Sequence, residues 1–266
     1  MTDADRRYLF IAKTFDAPGL SPTQFTKLLS QTALPVWRQL YRDCLLASVQ
    51  TLRKVGDVDL QTSSQTVRDW EYFILLELSE HASSEEVLRA EIAHGLTVAN
   101  LASQGIDYLS NELLQRPAQA GTAIPVPSPR YAEWPSNQHA AIEYIDIPAA
   151  HWLDYRQFMK EVMGPVGAQL VRQGDSYQVQ ILEGLEVVHR DASLPAWNRI
   201  HLLWGEFDDP INGFFKHTNA AIDTVLGAGR DVQTVLGQVA SYRTKPRMSK
   251  NVAVPALSIP RSAQVR

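Results

Sequence analysis

Residues 197–207 read Trp-Asn-Arg-Ile-His-Leu-Leu-Trp-Gly-Glu-Phe, and far upstream residues 70–80 read Trp-Glu-Tyr-Phe-Ile-Leu-Leu-Glu-Leu-Ser-Glu. Both begin with Trp and carry a Leu pair five and six places later. Each is short, apolar and aromatic-rich, as a buried strand is. Side chains alternate across a strand, so Arg199, His201, Leu203 and Gly205 share one face in the later copy. The matching positions in the earlier copy are Tyr72, Ile74, Leu76 and Leu78. One version is wholly apolar on this face, and the other has gained a cation and an imidazole.

Working outward, each version sits in the same series of elements. Tyr8 to Phe15 has strand character and ends at the turn signal Ala17-Pro18-Gly19. Ser21-Pro22 is an N-cap with Pro at the first helical position, and apolar residues then recur at helical spacing to Tyr41, with Pro35 expected to kink or split the helix. Leu45–Val55 is a second strand, Trp70–Glu80 a third, and Ser83-Ser84-Glu85-Glu86 caps a helix to about His94. Asp107–Arg116 follows as a fourth strand, though its pattern also tolerates a helix. Beyond residue 138 come a strand at 141–147, a helical face marked by Trp152, Tyr155, Phe158, Met159 and Val162, and a strand over 177–188. The 197–207 stretch, a helix over 210–226 and a closing strand at 231–242 complete the series.

The expected fold class is therefore α+β: two tandem ferredoxin-like βαββαβ repeats packed sheet to sheet, because such a unit leaves one sheet face bare. The expected boundaries are residues 1–116 for the first repeat, 117–138 for a linker with five prolines, 139–245 for the second repeat and 246–266 for a C-terminal tail.

Composition excludes several classes. With 266 residues, 45% hydrophobic, 20% charged and a net charge of −4, the chain has the profile of a globular domain. No basic, aromatic-interleaved patch points to nucleic acid. No apolar run reaches the length of a membrane span, and no export signal is readable at the N-terminus, so a cytoplasmic location without membrane contact is expected. The single cysteine, Cys44, forms no internal disulfide. Seven histidines, at 81, 94, 139, 151, 189, 201 and 217, show no pairing that seats a metal on one helix face, and no metal is expected. A homodimer is compatible with the chain.

The paired layout resembles the dimeric α/β-barrel superfamily, which includes stress-responsive A/B barrel proteins, polyketide cyclases and cofactor-free monooxygenases. His201 stands six residues before Phe207, as a pocket histidine does in the cyclases. Their helix motif Tyr-x-x-His-Pro-x-His is met by Phe214-Phe215-Lys216-His217-Thr218-Asn219-Ala220, which keeps the first His, replaces the Tyr by Phe214 and lacks the second His. The resemblance implies a cofactor-independent cyclase, isomerase or lyase acting on a hydrophobic, polyketide-like small molecule. His201, in a cavity between the sheets, would move the proton, with Tyr144 or His217 as partner and Arg199 stabilising an anion. His217, Phe214, Tyr155 and Leu203 would line the substrate. Chlorite dismutase and its relatives resemble the same duplicated layout, which implies instead a haem protein with His201 or His217 as axial ligand. The layout also accommodates a cofactor-free monooxygenase or a non-catalytic ligand-binding barrel.

Overall fold

A computed structural model describes residues 8–57, 70–116, 139–173, 178–205 and 210–261. The expected linker, residues 117–138, lies outside them. The first half of the chain gives β1 (Leu9–Asp16), α1 (Pro22–Arg42), β2 (Leu46–Asp57), β3 (Tyr72–Leu78), α2 (Ser84–Ala93), α3 (Val98–Ser103) and β4 (Asp107–Gln115). The second gives β5 (His139–Asp146), α4 (Trp152–Phe158), a π-helical turn (Met159–Met163) and α5 (Gly164–Gln173). It continues with β6 (Gln178–Arg190), β7 (Arg199–Gly205), α6 (Pro210–Leu226), α7 (Val232–Ala240) and β8 (Thr244–Ala253).

Local chemistry explains the helix starts. Ser21 and Ser83 each complete a capping box, with Gln24 and Glu86 reaching back to the cap amide. Each box satisfies two amides that the first helical turn leaves without partners. Helix α1 runs through Pro35 without splitting, its inner face held by Phe25, Leu29, Trp37 and Leu40, each at most 1% exposed. Burial of that face offsets the hydrogen bond that Pro35 cannot make.

The strands form one closed antiparallel barrel in the order β1-β3-β2-β8-β5-β7-β6-β4. The fold is thus mixed α+β around an eight-stranded barrel. The two strand series do not stay separate sheets facing each other. Their edges pair instead, β2 with β8 (Leu52 opposite Ala253) and β4 with β6 (Ser110 opposite Arg190). Closure removes the free edges that two isolated sheets would expose.

Two layers of core result. The barrel interior is filled by Phe10, Phe73, Leu75, Ile142, Tyr144, Leu182, Ile200, Leu202, Trp70, Trp197 and Trp204. Outside it, α1 to α3 cover the first-half strands through Phe25, Trp37, Tyr72, Ile74 and Leu76. Helices α4 to α7 cover the second-half strands through two smaller clusters around Tyr155 and Ile222.

Two expectations near the C-terminus are corrected. Residues 231–242, expected as the closing strand, form α7, whose Val232, Val235 and Val239 face inward at helical spacing behind the N-cap Asp231. The closing strand is β8, most of which lies in the stretch expected as a tail. Its polarity disguised it: Ser249 and Asn251 are fully buried, and the Asn251 amide donates to the Ser249 hydroxyl at 3.0 Å and to the Ala140 carbonyl at 3.2 Å. Ile259 then bridges to Val49, so this terminal stretch is tied to β2.

Candidate functional site

The face of β7 that carries Arg199 and His201 does not point into the barrel. Ile200, Leu202 and Trp204 do. Arg199 and His201 look outward, into the layer between the second-half strands and α4, where they are 1% and 6% exposed. The expected cavity between two sheets is therefore replaced by a buried polar cluster on the barrel's outer wall.

Its members come from several elements, Arg199 and His201 from β7 itself. Glu143 on β5 stands directly opposite His201 in the β5–β7 register, and Glu183 on β6 stands opposite Arg199. His201 Nδ1 lies 3.2 Å from Glu143 Oε2, and its Nε2 lies 3.1 Å from the Tyr155 hydroxyl of α4. Burial holds the imidazole at about 4, well below its ordinary 6.5, against the opposing pull of the Glu143 carboxylate. The ring is thus neutral near pH 7. With Nδ1–H donating to the carboxylate, Nε2 is left as acceptor of the Tyr155 proton.

Arg199 forms a buried ion pair with Glu183, which also accepts from the half-exposed Arg156 at 2.9 Å. The Arg199 guanidinium lies 4.4 Å from the Trp152 ring centre and 4.8 Å from that of Tyr155, within cation–π range. Burial lowers its proton affinity and raises that of the Tyr155 phenol. Arg243, just before β8, places Nη1 at 3.7 Å from Glu143 and 3.5 Å from the Tyr155 hydroxyl. The Nε atoms of Arg199 and Arg243 are buried without hydrogen-bond partners. Three guanidinium groups around two carboxylates leave the cluster suited to an anionic guest.

The structure thus brings His201, Arg199 and Tyr155 together. Tyr144 is separated from them by the strand itself: it is fully buried in the barrel interior, 4.5 Å from Trp197 by ring centres, and its hydroxyl has no partner. That burial drives its phenol well above 10, so it does not act with His201. Leu203 is on the outer face two residues along β7 from His201. His217 is half-buried on α6, and the Phe214 side chain lies outside the described residues. Glu143, Glu183 and Arg243 were not anticipated. The signal for the two carboxylates was a lone charge inside an apolar strand, in Ala-Ile-Glu-Tyr-Ile-Asp and Ile-Leu-Glu-Gly-Leu.

A second buried cluster occupies the outer wall of the first half. Lys13 is the fifth residue of the eight-residue β1, as Glu143 is of β5. Its ammonium meets Glu91 at 2.9 Å and the Tyr108 hydroxyl at 2.6 Å, and Trp37 Nε1 donates to Glu91 at 3.0 Å. Burial alone would lower the Lys13 pKa, but Glu91 and Tyr108 outweigh it, and the net change is upward. A cavity of about 10 Å³ adjoins them, room for one water.

No family model matches the sequence, and no curated protein matches it. Solved structures do. A dye-decolorizing protein from V. cholerae aligns over 94% of both chains with a TM-score of 0.56 at 9% identity. A mutant chlorite dismutase from Candidatus Nitrospira defluvii, in complex with cyanide, aligns over 94% of this chain and 92% of its own, with a TM-score of 0.51 at 9% identity. An anthrone oxidase-like protein aligns over the same shares with a TM-score of 0.51 at 12% identity. The expectation of a cofactor-independent cyclase, isomerase or lyase is overturned by this set, whose members carry oxidative or dismutase names. Stress-responsive A/B barrels are not the specific likeness. Among the described residues no helix is long and apolar enough to cross a membrane. What the chain shares with these proteins is the ferredoxin-like α+β barrel fold.

Proposed function

We propose that this chain is a haem-binding oxidoreductase acting on a small molecule, with its centre on the outer wall of the second half. The matching order of elements in the two halves supports reading the barrel as a tandem ferredoxin-like repeat in which only the later copy is equipped for chemistry. The observation that carries the proposal is the Glu143–His201 pair. An imidazole whose Nδ1–H is held by a carboxylate, and whose buried ring stays neutral, has the donor chemistry by which His201 would hold the iron through Nε2.

The remaining residues fit the same guest. The unpartnered Nε groups of Arg199 and Arg243 are suited to anionic oxygens, whether of the cofactor's carboxylates or of a substrate. Trp152, Tyr155, Met159 and Val239 keep the site dry, which strengthens those charge contacts. Haem, when bound, supplies the electron-transfer and oxygen chemistry that side chains lack. Glu143 fixes the tautomer of His201 and raises its basicity as a ligand. Arg199 is in turn oriented by Glu183, so its charge is aimed without a search among rotamers.

Titration of the purified protein with hemin tests this reading. Stoichiometric growth of a shifted Soret band is expected, with loss of that band in His201→Ala and retention in the barrel-interior variant Tyr144→Phe. An unchanged spectrum, or one indifferent to His201→Ala, overturns the assignment. Oxidation of a reporter dye by hydrogen peroxide then reads activity in the loaded protein.

A further inference from the structure

The Tyr155 hydroxyl occupies the acceptor nitrogen of His201 at 3.1 Å, the same nitrogen that the proposed function assigns to a ligand. Tyr155 is carried on a segment whose backbone is unusual. Helix α4 has only seven residues, no side chain caps it or the short 3-10 turn before it, and Tyr155 is its single buried residue. Leu153 on its outer side is 77% exposed. Immediately after it the chain makes a π-helical turn over Met159–Met163 before resuming as α5. A π turn holds one residue more than an α turn, and such turns interrupt helices mainly where function requires it.

We propose that Tyr155 is a built-in plug on His201 and that the π turn lets α4 withdraw it. If the extra residue migrates from 159–163 to the start of α4, the residues it passes, Tyr155 and Arg156 among them, rotate by about 100° around the helix axis. Tyr155 then leaves the cluster and His201 Nε2 is exposed, while α5 stays packed on α6 through Val166, Leu170, Ala221 and Ile222. The same rotation carries Arg156 away from Glu183, whose other oxygen contact, Arg199, sits on the strand and remains. The closed state is held by the phenol–imidazole hydrogen bond, a 3.5 Å contact with Arg243, the Arg156–Glu183 ion pair and the Arg199 guanidinium over the Tyr155 ring. A ligand that competes for the same nitrogen shifts the balance toward the open state by its affinity for that state alone. The inference rests on His201 being the ligand-bearing residue.

The test is Tyr155→Phe, which keeps the ring and removes the hydroxyl. Hydrogen exchange without hemin is compared between the wild type and the variant over residues 149–163 and over β7. Loss of one neutral hydrogen bond corresponds to an opening equilibrium raised about fivefold, so exchange in 149–163 should quicken by about that factor with β7 unchanged. Hemin affinity should rise to a similar extent. Unchanged exchange in 149–163 overturns the plug, as does equal acceleration in β7, which would make the hydroxyl a support of the whole fold. The two proposals fail separately. A responsive segment with no Soret band keeps the plug and removes haem; a His201-dependent Soret band with an unresponsive segment keeps haem and removes the plug.

Discussion

Acid should destabilise this protein through His201 in particular, and the size of the effect follows from its surroundings. In the unfolded chain the imidazole binds a proton near pH 6.5, whereas burial in the native protein defers protonation to about pH 4. The folded pKa is the lower of the two, so stability is at its full value above pH 6.5 and is lost as pH falls toward 4. Each pH unit in that window costs about 1.4 kcal/mol per group, which gives roughly 3 kcal/mol across it. The perturbation that isolates the term is His201→Gln, which keeps a polar side chain of similar size but does not titrate. Urea denaturation of both proteins at pH 7, 6, 5 and 4 supplies the comparison. The wild type should lose about 3 kcal/mol relative to the variant between the first and last of these. A stability difference that stays constant from pH 7 to pH 4 would refute the claim that a neutral, desolvated imidazole lies beneath α4.

Two further outcomes follow from the ion pairs. Glu183→Gln leaves the 1%-exposed Arg199 without its carboxylate and should cost about 3–5 kcal/mol in denaturant midpoint analysis, whereas Arg156→Ala, on the half-exposed side of the same carboxylate, should cost less than about 1 kcal/mol. In the first half, Lys13→Met and Glu91→Leu should each be strongly destabilising alone and recover most of that loss together, which a double-mutant cycle measures as a coupling of about 2 kcal/mol or more.

Much of the fold was legible because strand alternation and helix capping are local. The paired Trp stretches, the N-cap serines of α1 and α2 and the strands from β1 to β7 all follow from contacts within a few residues, whereas α3 and the π turn between α4 and α5 do not. The failures have a shared cause in burial. The valines of 232–239 have strand propensity, yet their spacing serves a helix once α5 and α6 supply an apolar neighbour. Strand β8 looks like a polar tail, yet it sits in the barrel between β2 and β5, where the Asn251 amide is satisfied by the Ala140 carbonyl of β5 and by Ser249 beside it on β8.

The same distinction governs the site. Alternation determined that Arg199, His201 and Leu203 share a face and that Tyr144 lies with Ile142, and both groupings follow from the sequence by itself. Which face is inside was decided only by closure of the barrel. Both sides of these strands are buried, one by the barrel interior and the other by helices, so hydrophobicity does not label them. Tertiary structure turned the His201 face toward α4, brought Glu143 and Glu183 beside it from neighbouring strands, and set Tyr155 on its free nitrogen. Sequence separation carries no trace of those meetings, because they exist only where the strands pair and the helix lies across them.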